Sequence, residues 1–268
     1  SYQPTEGGAY DIAAALDGTG QSAIIAAARA RNPDLRLMYT VVTPPAWMKN
    51  NRTREGRNGN NTLRADCYDD LALYVNNFVA EFRARQGFAI DSVSLQNEAD
   101  FDAPYDSCVY TPAQWVDLAG DTRAVWGEFD NGATRLVGPE LSGAEPHWWH
   151  FIRAHAPGVV DGGAWHSYTA GQEKLGTLAA LAMPHYQTEF SFIEDIDRGE
   201  HHAARMAAQF CTDTNDGAAA GWYWWQLVWP RHPFNDGEGL ILGENTGWGD
   251  FGFERYTVTR KYTALRTM

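Results

Sequence analysis

Short apolar runs alternating with amphipathic helical patterns, over 268 residues, predict an α/β fold built on parallel strands, a (β/α)8 TIM-type barrel. The alternation matters because parallel strands cannot be joined by tight turns and need a crossover, usually helical, between each pair. A hydrophobic content of 44% supplies one large core, and barrels of this type run to roughly 250 residues as a single domain. A single catalytic barrel domain over residues 1–268 is therefore expected.

The strand candidates are Leu35 to Val42, Ser92 to Gln96, Arg135 to Gly138, Gly163 to His166, His185 to Thr188 and Gly221 to Leu227. Each is a short apolar or β-branched run bounded by polar or turn-forming residues. Between and after them the pattern predicts helices at Gln21 to Arg31, Asp66 to Arg85, Pro112 to Trp126, His147 to Ala156, His201 to Cys211 and Val258 to Thr267. Thr111-Pro112 has the form of an N-cap followed by proline at the first helical position. Six βα units are legible where a closed barrel has eight, and the 34 residues before Leu35 are too few for two more. The barrel is expected to be incomplete at its N-terminal side.

Composition narrows the partners. A net charge of −13 lacks the Lys/Arg clusters that nucleic acid or an anionic membrane would require, so a neutral substrate fits better. No apolar run approaches the roughly 18 residues of a membrane span. The chain opens on Ser1-Tyr2-Gln3-Pro4 without an apolar signal region, so any export signal is expected to have been removed. The 11 Trp and 12 Tyr exceed what such a core needs; most are assigned to packing and some to flat platforms for sugar rings. Cys67, Cys108 and Cys211 do not form a CxxC pattern, and a disulfide would leave one of them unpaired.

Two segments carry chemistry. In Ser92-Val93-Ser94-Leu95-Gln96-Asn97-Glu98 a β-type run ends in an amide followed by an acid, at the strand terminus where barrel active sites are built. In His185-Tyr186-Gln187-Thr188-Glu189 the pattern recurs 91 residues later, an interval of about three βα units. Two such carboxyl groups are what glycosidic cleavage needs: one protonates the departing oxygen and the other attacks or stabilises the oxocarbenium-like centre. A carboxyl separation of about 5 to 5.5 Å means retention through a covalent intermediate, and roughly 6.5 to 9.5 Å means inversion through water. Mutual repulsion of the pair would leave one protonated and the other ionised, with Tyr168 or His166 as donors to the ionised one.

Thr43-Pro44-Pro45-Ala46-Trp47-Met48-Lys49, Leu95-Gln96-Asn97-Glu98, His166-Ser167-Tyr168 and Gln187-Thr188-Glu189, in this order and spacing, resemble glycoside hydrolase family 30, in the clan of retaining glycosidases whose catalytic acids follow barrel strands four and seven. The likeness runs from about Asn32 to the end of the chain. It implies a retaining mechanism with Glu98 as acid/base and Glu189 as nucleophile, and Trp47, Asn97, His166, Tyr168 and Trp225 lining the subsite of the cleaved sugar. Ala99 stands where the family usually has proline after the acid/base. The family also has two upstream strands and a β-sandwich side domain, which residues 1–268 do not contain on this reading.

The stretch Asp100 to Thr111 is similar to a loop of the xylan-cleaving branches, which implies β-1,4-xylan or glucuronoxylan as substrate, with Arg231 as a candidate for holding a uronate. Other members cleave β-1,6-glucan, β-1,6-galactan or glucosylceramide, and a non-catalytic carbohydrate-binding relative is the alternative from another class. The expected partner is a polysaccharide or oligosaccharide, with no nucleic acid and no membrane. A secreted monomer is expected, with no cofactor and no metal, since both catalytic groups are side chains.

Three other signals lead elsewhere. Gly247-Trp248-Gly249-Asp250-Phe251-Gly252 has the letters of GxGxxG but opens no βαβ unit and reads as a loop. His201-His202 lacks the spacing of a zinc helix and reads as a helix start, and no GxSxG elbow occurs. His147-Trp148-Trp149-His150 after Glu145-Pro146 reads as a helix packed on the barrel rather than a ligand cluster.

Overall fold

The computed structural model describes residues 2–18, 20–168, 172–181, 183–193, 195–231, 236–244 and 255–268. The GxGxxG-like stretch lies outside the described residues. The chain forms two compact units, Ser1–Ala164 and Trp165–Met268.

In chain order the first unit contains α1 (Ile12–Leu16), α2 (Gln21–Arg31), β1 (Met38–Thr40), α3 (Tyr68–Gln86), β2 (Ser92–Ser94), α4 (Pro112–Ala124), β3 (Arg135–Leu141) and α5 (Pro146–His155). Strand β4 (Gly162–His166) begins in this unit and ends in the second. Strands β1, β2 and β3 are adjacent and parallel, with Met38 opposite Ser92 and Ser92 opposite Arg135. The Asp161 amide donates to Leu136 O at 2.7 Å, which sets the approach to β4 beside β3.

The boundaries follow local chemistry. Helix α3 carries Asp69 and Asp70 in its first turn and Arg83 and Arg85 in its last, the order the helix dipole favours. It stops at Gly87, which takes the left-handed conformation (φ 77°) and returns its N–H to Arg83 O. Leu71, Val75, Phe78, Val79 and Phe82 recur at helical spacing and are its buried face. Helix α4 starts with Thr111 as N-cap and Pro112 in the first turn, as the sequence suggests, and Gln114 completes a full capping box. Its Trp115 is fully buried, and a Cβ on Gly138 would lie 2.6 Å from the Trp115 ring, so this strand position has room only for glycine. Trp149 of α5 is also fully buried, as expected for a helix packed inward rather than a ligand cluster.

The second unit continues with α6 (Gln172–Ala179), β5 (His185–Glu189), α7 (Glu200–Asn215), β6 (Ala219–Trp222), β7 (Val228–Pro230), β8 (Ile241–Glu244), β9 (Arg255–Val258) and α8 (Arg260–Thr267). The end of β4 lies beside β5 through the Ser167 amide, which donates to Glu189 O at 3.2 Å. Strands β5 and β6 are parallel. Strands β7, β8 and β9 make a separate sheet, β7 parallel and β9 antiparallel to β8.

One strand expectation is corrected here. Gly221 to Leu227 does not continue as a single strand: β6 ends at Trp222, and Tyr223 turns its amide onto both the backbone and side-chain oxygens of Gln187, each at 3.0 Å. The apolar run that suggests a longer strand is not buried throughout, because Tyr223, Trp225 and Leu227 are all exposed. It belongs to an irregular segment between two sheets.

Phe192, Met206 and Leu240 form the core of this unit, with Phe190, Trp222, Trp224, Tyr262 and Leu265 packed against them. His202, at the helix start where His201-His202 was expected, is fully buried and stacks on Phe192 with centroids 4.3 Å apart. Its Nδ1 accepts the Arg198 amide at 3.3 Å and its Nε2 lies 3.2 Å from Asp195 Oδ2, which suits a neutral ring protonated on Nε2. Burial outweighs the pull of Asp195 and Asp197 and, with Lys261 adding repulsion, holds this imidazole below its ordinary value of 6.5. The folded state therefore rejects a proton that the unfolded chain accepts, so stability present above about pH 6.5 is lost as pH falls through the folded value. The urea midpoint is expected to drop between pH 7 and pH 5, and His202→Gln to flatten that slope; an unchanged slope would contradict this. Asp100 and Asp213, whose carboxyls burial raises above 3.8, act in the opposite sense and at lower pH.

Candidate active site

In the first unit, β2 delivers Gln96, Asn97 and Glu98 in succession. Gln96 is fully buried, and its side-chain amide donates to Val42 O at 2.8 Å and Asn97 O at 2.9 Å. The Asn97 amide donates to Val41 O at 2.8 Å, and Asn97 bridges to Glu140 in parallel fashion. Glu98 then leaves the strand with φ 50°, a left-handed conformation that costs a non-glycine residue about 1–3 kcal/mol. Its neighbours over-determine that conformation. Phe101 N donates to Glu98 O and Tyr110 N to Ala99 O, both at 2.9 Å. Asp100 accepts the Ser142 amide at 2.8 Å and its hydroxyl at 3.1 Å.

Glu98 is 5% exposed, and Tyr105 OH donates to its Oε2 at 3.1 Å. Tyr105 comes from the loop after Glu98, which buried Lys49 holds in place. The Lys49 ammonium donates to the carbonyls of Arg54, Glu55 and Ser107. Trp47 sits in a 3-10 turn, Ala46–Met48, with its indole N–H on Gln3 O at 3.1 Å and its carbonyl accepting from Arg52 and Arg64.

In the second unit, Glu189 ends β5 as Glu98 follows β2. Tyr168 OH donates to Glu189 Oε1 at 2.9 Å and lies 3.2 Å from Ser191 Oγ. His166 is fully buried, with Nδ1 3.9 Å from the same carboxylate oxygen, an ionic rather than hydrogen-bonding distance. Between His166 and Tyr168, Ser167 donates to Asp213 Oδ2 at 2.7 Å; Asp213 also accepts Trp222 Nε1 at 2.8 Å and Gln209 Nε2 at 2.9 Å. This buried carboxylate fixes the end of β4 to α7 and β6.

Trp225 is 42% exposed, and its amide donates to the carbonyl of Phe190, the residue after Glu189, at 3.0 Å. Arg231 sits elsewhere, at the end of β7, with its amide on Gly243 O at 2.7 Å and its guanidinium 3.6 Å from Glu244 and 4.0 Å from Asp236. A cavity of about 240 Å³ beside Glu189 is lined by Tyr168, Phe190, Ser191, Phe192, Ile193, Asp195 and Arg205.

Sequence reasoning did not assign Tyr105, Ser191, Asp213 or Lys49. Tyr105 and Ser191 stand seven and two residues after their glutamates, so proximity was a usable signal for Ser191. Nothing in the sequence marks Asp213, and Lys49 stands at the end of the Thr43 to Lys49 run with no role assigned to it, because its partners are backbone carbonyls.

The fold is a partial (β/α)8 barrel, similar to that of solved glycoside hydrolase family 30 structures. A crystal structure of SrfJ from Salmonella typhimurium matches with a TM-score of 0.80 at 20% identity over 95% of this chain. The catalytic domain of GH30 xylanase C from Talaromyces cellulolyticus matches with a TM-score of 0.74 at 15% identity over 92%. In sequence, an endo-1,6-β-D-glucanase of Neurospora crassa is 26% identical over 159 residues, 57% of this chain. The two named enzymes are glycoside hydrolases. The chain spans 58% of each of those two solved chains and 32% of the fungal enzyme. No family model matches the chain. No helix among the described residues is long and apolar enough to cross a membrane.

Proposed function

We propose that the chain is the catalytic portion of a retaining β-glycosidase acting on a polysaccharide outside the cell, with Glu98 as acid/base and Glu189 as nucleophile. One observation carries this reading: each glutamate stands at the carboxyl end of a barrel-type strand and accepts a tyrosine hydroxyl, Tyr105 on Glu98 and Tyr168 on Glu189. Strand ends in a barrel scaffold converge on one face, and two carboxyl groups there suffice for double displacement without a cofactor. Glu189 attacks the anomeric carbon as the glycosidic C–O bond breaks, and Glu98 protonates the departing oxygen. Water then attacks the glycosyl ester, giving its proton to Glu98 and releasing Glu189. Trp47, Asn97, His166, Tyr168 and Trp225 are the proposed walls of the subsite for the cleaved sugar.

β-1,4-Xylan is the first substrate proposed, on the strength of the Asp100 to Thr111 loop and the xylanase among the structural matches. β-1,6-Glucan is a second reading, favoured by the fungal glucanase as a sequence relative. Arg231 already faces Asp236 and Glu244, which weighs against a role as uronate anchor and so against a strict glucuronoxylan requirement. The test is hydrolysis of xylan, glucuronoxylan, β-1,6-glucan and aryl β-glycosides, with the first-formed anomer followed by NMR. The β-anomer appearing first supports the reading; the α-anomer appearing first, or sugar binding without release from any of them, overturns it.

A further inference from the structure

We infer that Ser191 is a positioning residue for the nucleophile, acting through Tyr168 as the outer member of a hydrogen-bond relay Ser191→Tyr168→Glu189. The inference rests on the glycosidase reading above. Tyr168 has a single hydroxyl proton, and an ionised carboxylate can only accept, so that proton lies on the 2.9 Å contact to Glu189 Oε1. The 3.2 Å contact between Tyr168 OH and Ser191 Oγ must then run the other way, with serine donating to the phenol oxygen. Ser191 is only 4% exposed, with its hydroxyl against the phenol on the wall of the cavity beside Glu189.

Two consequences follow. A phenol that accepts a hydrogen bond donates a stronger one, because bonds in a chain polarise each other by about 10–30%. The serine also fixes the phenol's rotation, aiming its proton at Oε1 rather than elsewhere. Both effects favour the ionised, nucleophilic form of Glu189. Ser191 follows the end of β5 by two residues, which is close enough in the chain for its hydroxyl to reach the same tyrosine as Glu189.

The experiment is a carbon-13 titration of the Glu189 carboxyl in the whole chain carrying labelled glutamate, for wild type, Ser191→Ala, Tyr168→Phe and the double variant. Ser191→Ala is expected to move the Glu189 midpoint up by ~0.5 pH units and Tyr168→Phe by ~1, as loss of part or all of a charge-assisted bond would give. The double variant is expected to match Tyr168→Phe alone, because the serine acts only through the tyrosine. The acidic limb of kcat/KM should move in parallel. No shift in Ser191→Ala, or a shift of equal size with and without Tyr168, overturns the relay. Ser191→Thr keeps the hydroxyl and should titrate like wild type, and Ser191→Cys, a weaker donor of similar size, should fall between serine and alanine if the alanine variant does not fold. The titration needs no turnover: failure of wild type to hydrolyse any β-glycan sinks the glycosidase reading and leaves the relay to be judged by NMR alone.

Discussion

Glu189→Ala is expected to abolish turnover of polymer and activated substrate alike, while Glu98→Ala should spare an aryl β-glycoside with a good leaving group far more than the polymer. The asymmetry follows from the roles. Without the nucleophile no glycosyl ester forms, and the loss should exceed the roughly 10²–10⁴-fold that removal of an acid/base group costs. Without the acid, a leaving group that departs unprotonated still allows the first step, and the ester then waits for a water that nothing deprotonates. Azide tells the two variants apart. It attacks the waiting ester of Glu98→Ala to give the β-glycosyl azide, but fills the nucleophile's own place in Glu189→Ala to give the α-azide. Equal losses on both substrates, or azide products of the same configuration, would contradict the assignment. Glu189→Ala is expected to fold, because the carboxylate is held by a side-chain hydroxyl while the backbone contact, Ser167 N on Glu189 O, does not depend on the side chain.

Much of this was readable from residue order because it is set by local physics. The N-cap and first-turn proline at Thr111-Pro112 are a short-range pattern that the structure forms as written, adding a capping box with Gln114, and α3 runs close to its expected span before Gly87, which the sequence analysis did not mark, stops it. Helix α2 begins and ends at the residues expected, Gln21 and Arg31. The sequence analysis did not mark α1 or α6; α1 has five residues, too few to repeat a helical period. At the site, the glutamates were legible because each follows a β-type run, but the groups that hold them were not. Asp213 meets Ser167 from 46 residues away, and Lys49 meets the Ser107 carbonyl from 58. Such contacts exist only once the chain is folded, and no spacing rule announces them.

The largest expected loss of stability comes from one of those unannounced residues, Lys49. Its side chain is fully buried, its stem covered and its ammonium spent on the carbonyls of Arg54, Glu55 and Ser107. Burial pulls its pKa below the usual lysine value, with Cys108, Asp106 and Asp102 opposing, so the charge is held at a cost that the carbonyls offset. Lys49→Met keeps the apolar stem and removes three bonds from a charged donor, while Arg54 O keeps Ser107 N and Thr43 Oγ1, Glu55 O keeps Asn51 Nδ2 and Ser107 O keeps Thr43 Oγ1, so the expected loss is about 1–3 kcal/mol in total, or roughly 2–6 °C in thermal midpoint for a chain of this size. The nearby Arg54 to Asp106 pair makes a useful control. Arg54 is 55% exposed, and an exposed pair is worth about 0–1 kcal/mol, so Arg54→Gln should change the midpoint by less than the lysine variant. Because the same ammonium ties residues 54 and 55 to the loop that carries Tyr105, the Lys49 variant should also lose activity ahead of global unfolding, seen as a fall in kcat below the melting transition. A Lys49→Met protein that melts like wild type, or like Arg54→Gln, would show that the buried lysine is not what closes the loop over Glu98.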